Sequence, residues 1–209
     1  MNEISAIFMN FIKRLLGLES DHEVTDENGN ELGKFMPQPE IPTDEEFMHN
    51  FKKNGGKFLY CEDDNELRLN FSEILKENDW DQCEVYCSND HIHKKFEHTT
   101  LTFNKNLKAC FFLSDCEFLI SNTGAILVSS SQMGDKKLAD LPLNFIIVAK
   151  TSQLIKTIGE GLQKINNRHN RSLPTNITTI KTFDKNEDSD FMSYGSTPKN
   201  LYLLLLEDL

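Results

Sequence analysis

Apolar positions recur at two spacings along this chain, and their alternation predicts its architecture. Between residues 4 and 16, Ile4, Ile7, Phe8, Phe11, Ile12, Leu15 and Leu16 share one broad stripe at helical spacing, with Lys13 and Arg14 off it and Gly17 to end it. The stripe predicts an amphipathic helix packed on its own domain or on a second copy of the chain, since two basic residues are few for a membrane-surface helix. Residues 19–43 are acidic and rich in turn formers, D-E-N-G-N and then P-Q-P-E-I-P, and read as an extended linker or small hairpin stiffened by Pro37, Pro39 and Pro42. The chain thus divides into an N-terminal helix and acidic proline-containing linker, 1–43, and a compact α/β domain, 44–209.

From Thr43, followed by the acidic first turn Asp44-Glu45-Glu46, helical and extended patterns alternate. A helix over 45–53 stops at Gly55-Gly56, and Lys57–Cys61 reads as a strand. Asp64 caps a helix with Leu67, Phe71, Ile74 and Leu75 on its apolar face. Strands follow at 83–87, 101–103 and 109–113, with a short helix at 90–96. The central stretch, E-F-L-I-S-N-T-G-A-I-L-V-S-S-S over 117–131, enters a polar turn from one apolar run and leaves it by another, Ala125–Val128. A strand with no polar face needs cover on both sides, which places 125–128 in the middle of the sheet. Further strands are expected at 144–149, 176–180 and 201–206. A helix capped by Thr151 or Ser152 carries Leu154, Ile155, Ile158, Leu162 and Ile165. This order predicts an α/β/α sandwich with a mostly parallel central sheet and helices on both faces.

Charge narrows the function. Lys and Arg total 22 against 33 Asp and Glu, a formal charge of −11, and no basic run offsets it, so nucleic acid and anionic membrane are poor partners. No apolar run reaches membrane-spanning length, and Glu3 stands where a signal peptide would be apolar. Five cysteines without a Cys-x-x-Cys fit free thiols in a reducing cytoplasm.

Candidate chemistry sits in loops. In parallel sheets ligands lie beyond the carboxyl ends of the strands, which selects the loop at Ser88 and Asn89, Ser129–Gly134, and the long polar segment 182–198. In the central turn, Asn122, Thr123 and Gly124 would present amide, hydroxyl and backbone groups to a ligand, against the plainer role of satisfying the turn itself. Cys83, Cys87, His91, His93 and His98 fit no closed zinc spacing, so no metal or other cofactor is expected. Cys116 beside Glu117 has no placed base and reads as a buried thiol.

The run C-E-F-L-I-S-N-T-G-A-I-L-V-S-S, then Leu141-Pro142 and N-F-I-I-V-A, resembles the LUD family of lactate-utilisation proteins, C-component type. Helix, Gly-Gly and strand over 51–60 are similar to the family's start, and Pro198-Lys199-Asn200-Leu201 with its apolar strand is similar to its end. The resemblance covers about 44–209. Asn122 stands where the family carries an acidic residue and Ala125 where it carries Thr. Of the late G-P-S-x-T-A-D-I-E motif, Asp190 remains. The resemblance implies the fold of the sugar-phosphate isomerase and CoA-transferase group. It implies an accessory role, non-catalytic or weakly catalytic, in lactate or organic-acid utilisation beside iron-sulfur oxidoreductase partners. A ligand site formed by Asn122, Thr123, Gly124 and Asp190 follows from it, with no catalytic residue assigned. The alternative it implies is an enzyme of that fold group acting on a small carboxylate or phosphorylated substrate. The helix at 4–16 offers a homo-oligomer contact.

Overall fold

A computed structural model describes residues 41–168, 174–183 and 199–208. The first helix, α1 (Thr43–Lys53), begins after Pro42, carries Asp44, Glu45 and Glu46 in its first turn and buries Phe47, Met48 and Phe51. Strand β1 (Lys57–Cys61) leads to α2 (Asp64–Glu77), whose cap is Asp63 rather than Asp64. The Asp63 carboxylate accepts from the N–H groups of Asn65 and Glu66 at 2.8 and 2.9 Å, satisfying helix-end donors that have no internal partner. Then come β2 (Glu84–Tyr86), α3 (Asp90–Phe96), β3 (Thr102–Asn104) and β4 (Phe111–Ser114). A hairpin of β5 (Phe118–Ile120) and β6 (Ala125–Val128) follows, then α4 (Ser130–Met133), β7 (Asn144–Lys150), β8 (Leu154–Ile155), α5 (Ile158–Arg168), β9 (Thr178–Ile180) and β10 (Asn200–Leu206).

Six strands form a parallel sheet in the order β1-β10-β7-β4-β2-β3. The expected α/β sandwich is there, with one addition. Helices α2 and α3 cover one face, where Phe71, Ile74 and Phe96 meet Val85, Phe111, Ile146 and Leu204. On the other face Phe47 and Phe51 of α1 pack with Phe112, Phe145 and Leu203, and the cover is completed by a second sheet, β8-β5-β6-β9. Helix α5 backs that second sheet through Ile165, which meets Phe118, Leu127 and Ile155.

Two sequence expectations change. Ala125–Val128 is buried on both sides, as its composition requires, but it belongs to the second sheet, antiparallel to β5 and β9. An apolar run reports burial, not which sheet supplies it. The helix expected from Thr151 starts only at Ile158. Leu154 and Ile155 instead pair in parallel with Leu119 and Ile120, because a strand partner satisfies their backbone while burying Ile155. The segment 4–16 lies outside the described residues.

Candidate functional site

The turn joining β5 to β6 is fixed by α1. Asn50 Nδ2 donates to Ser121 O at 2.8 Å, Asn54 Nδ2 to Thr123 O at 2.7 Å, and Ser121 Oγ to Glu46 Oε2 at 2.6 Å. Gly124 sits at φ +62°, where a Cβ would lie 2.3 Å from Phe51 N, so turn and helix backbone touch with no room for a side chain. Asn122 is exposed, and the Thr123 hydroxyl is buried without a hydrogen-bond partner. Asn122, Thr123 and Gly124 therefore stand together on one turn, while Asp190 lies outside the described residues.

Beside this turn a cleft of about 560 Å³ opens at the carboxyl ends of β1, β10 and β7. Tyr60 comes from β1, Glu207 follows β10, and Thr151 and Ser152 follow β7; Thr43 and Asp44 enter from the start of α1, Lys156 from the approach to α5 and Glu160 from its first turn. The turn forms the flank of the cleft rather than its lining. Ser121 N donates to Ile155 O at 2.9 Å and Asn122 N to Lys156 O at 3.3 Å, and both acceptor residues line the cleft.

Much of the acidity in the cleft is already engaged. Tyr60 donates its hydroxyl to Glu207, and burial together with that carboxylate pushes the phenol well above its ordinary range, so Tyr60 acts as a donor and not as a base. Glu160 accepts from Lys164 at 2.8 Å and from the Lys156 N–H at 3.2 Å, and the Lys164 bond holds its carboxyl below the usual range. Next to the cleft, burial alone would raise Asp208. The Ser152 N–H and the Ser152 and Thr151 hydroxyls, at 2.8 to 3.0 Å, outweigh it and hold the carboxyl low.

A family model for the LUD domain matches residues 45–206, nearly the whole α/β region. The chain belongs to the LUD domain family. A crystal structure of a DUF162 family protein from Deinococcus radiodurans is similar to it over 81% of this chain and 100% of that one, at 16% identity and a TM-score of 0.53. That likeness shows the fold. Among curated proteins, none matches the chain.

The LUD domain carries a second polar cluster that sequence reasoning only half located. The loops at Ser88–Asn89 and at Ser129–Gly134, both selected by the carboxyl-end rule, meet at the end of β4: Ser88 Oγ donates to Gln132 O at 2.5 Å. Asp115, which follows β4, accepts from the side chains of Asn89 and Gln132. Burial raises its carboxyl, those two amides pull it back, and neighbouring Glu117 adds to the rise. Glu117 is 6% exposed and accepts from Ser129 Oγ at 2.7 Å, with Arg168 3.9 Å away. Ser114 Oγ and Asp115 Oδ1 are buried without hydrogen-bond partners. Sequence gave these residues no distinguishing signal beyond a polar break, Ser114-Asp115, after an apolar run. Gln153, three residues into the loop after β7, ties cluster to cleft by donating to Cys116 O at 2.6 Å.

Cys87 is buried, and burial pushes its thiol up to about 11. Among the described residues no group of three or more His, Cys, Asp and Glu is placed to share a metal ion, and no helix is long and apolar enough to cross a membrane.

Proposed function

We propose that this LUD-domain protein is an accessory component of lactate or related organic-acid utilisation that holds a small hydroxy- or keto-acid in the cleft beside the Asn122-Thr123-Gly124 turn, and docks iron-sulfur oxidoreductase partners. The observation that carries the reading is the set of polar groups gathered at the carboxyl ends of β1, β10 and β7. Lys156 supplies a cation for the carboxylate of the acid, Glu207 accepts from its hydroxyl, and Thr151 and Ser152 border the same space while their hydroxyls donate to Asp208. The engagement of Glu207 by Tyr60 and of Glu160 by Lys164 lowers the repulsion a carboxylate meets there. The cleft volume falls in the usual range for small-molecule sites, about 300–1,000 Å³. Thr123 and Asn122 shape its flank, with Asp190 a further candidate ligand contact.

Thermal-shift titration with L-lactate, pyruvate, coenzyme A and ATP tests the ligand. Stabilisation by lactate or pyruvate that Lys156→Met removes is the expected outcome. Stabilisation by coenzyme A or ATP alone overturns the ligand class, and capture of iron-sulfur proteins from the native cell tests the partner. A second reading, an enzyme of the sugar-phosphate isomerase and CoA-transferase group, draws on Asp115, a desolvated carboxyl at the end of a central strand. Turnover of a sugar phosphate or an acyl-CoA that Asp115→Ala abolishes would favour it.

A further inference from the structure

Cys61, Cys87 and Cys116 are buried, whereas Cys83 and Cys110 are partly exposed. The exposed two stand together. Cys83 leads into β2 and Cys110 into β4, paired neighbours with Val85 opposite Phe111, and the Cys110 N–H donates to Glu84 O at 3.0 Å. Regular pleating in that register would turn the two side chains to opposite faces. The backbone is bent at Ala109–Cys110, and both side chains instead pack against the core beneath α2 and α3, on one face of neighbouring strands, where the Cys110 thiol perturbs that of Cys83. The pair lies at the amino ends of the strands, the opposite end of the sheet from the cleft.

We propose that Cys83 and Cys110 are a redox-active dithiol that closes to a disulfide between β2 and β4, with hydroperoxides as the oxidant class. One thiolate attacks the peroxide, giving a sulfenic acid and releasing the first water (or alcohol). The other sulfur displaces the sulfenic hydroxyl, forming the S–S bond and releasing a second water. Two electrons pass from the sulfurs to the peroxide, and the two thiol hydrogens leave in the products. Proximity makes the second step intramolecular. Burial, followed by the Cys110 thiol, pushes the Cys83 thiol up to about 12, so the reaction accelerates with rising pH. Thiols of high pKa are also poor leaving groups, and the bond once formed resists exchange.

The test uses the full chain, folded, treated with hydrogen peroxide. The expected product is lighter by two hydrogens, has lost two of its five native thiols, and yields on digestion a cross-linked peptide joining residues 83 and 110, restored by dithiothreitol. Trp80 is the one tryptophan, and its carbonyl accepts from the Cys83 N–H at 3.3 Å, so its fluorescence should fall with the same time course. Cys83→Ser and Cys110→Ser should each abolish both the cross-link and the fluorescence change. Sulfinic or sulfonic products without a cross-link, or a bond that joins any other pair, overturn the proposal. The mapping on the native chain decides even where a variant fails to fold.

Discussion

Gly124 is where a single atom decides the most. Its φ of +62° and a virtual Cβ 2.3 Å from Phe51 N combine a backbone conformation that L-residues resist with a contact that neither helix nor turn can relieve. Gly124→Ala should cost about 2–5 kcal/mol in chemical denaturation, by left-handed strain plus overpacking. Lys199 makes the opposite kind of statement. Fully buried, its ammonium donates to Leu141 O at 2.9 Å and Pro142 O at 3.0 Å and lies over the Phe145 ring. Burial pushes its pKa down from 10.5 to about 8. Between those values the unfolded chain holds a proton that the folded chain has released, so stability gains with rising pH; below about 8 both states are charged and the burial cost is present in full. Lys199→Met should lose that gain when urea denaturation is compared on the two sides of the window. At neutral pH the same substitution removes the burial cost but leaves two buried carbonyls without a donor, about 1–3 kcal/mol in the other direction, so its effect there should be smaller than at high pH.

At the scale of elements, the clamp of α1 on the β5–β6 turn joins two segments some seventy residues apart through Asn50, Asn54 and Glu46. Asn54→Ala should cost about 1–2 kcal/mol, read as a lower denaturation midpoint with an unchanged slope. Sequence made the elements themselves legible wherever composition and burial agree. The Leu67, Phe71, Ile74, Leu75 face of α2 and the two-faced β10 are as expected, Leu203 and Leu205 facing one core and Leu204 and Leu206 the other. It failed where one pattern serves two partners. Leu154 and Ile155 continue the helical stripe of Ile158 and Ile165, and only the presence of β5 makes them a strand. Asp115 was invisible for a related reason: its neighbours Asn89 and Gln132 come from other loops, and its chemistry arises from their meeting. The cleft was not foreseen: the carboxyl-end rule selected the loops at Ser88–Asn89, Ser129–Gly134 and 182–198, none of whose described residues lines it, and Tyr60 and Glu207 carry no mark in sequence that separates them from other ends of strands.

For the whole molecule, the order of assembly is written into the six-stranded sheet. Strand β10 comes from residues 200–206, yet it lies between β1 and β7 and pairs with both over their full lengths. Removing residues 200–209 should leave a chain without a cooperative thermal transition, checked by circular dichroism, because β1 loses its strand partner β10 and Phe145 and Ile147 their neighbours Leu201 and Leu203. On the ribosome this means that the domain stays open until residue 206 has cleared the exit tunnel. Until then two oily strand margins wait unpaired beside each other, ready to be claimed by a chaperone or by another nascent copy.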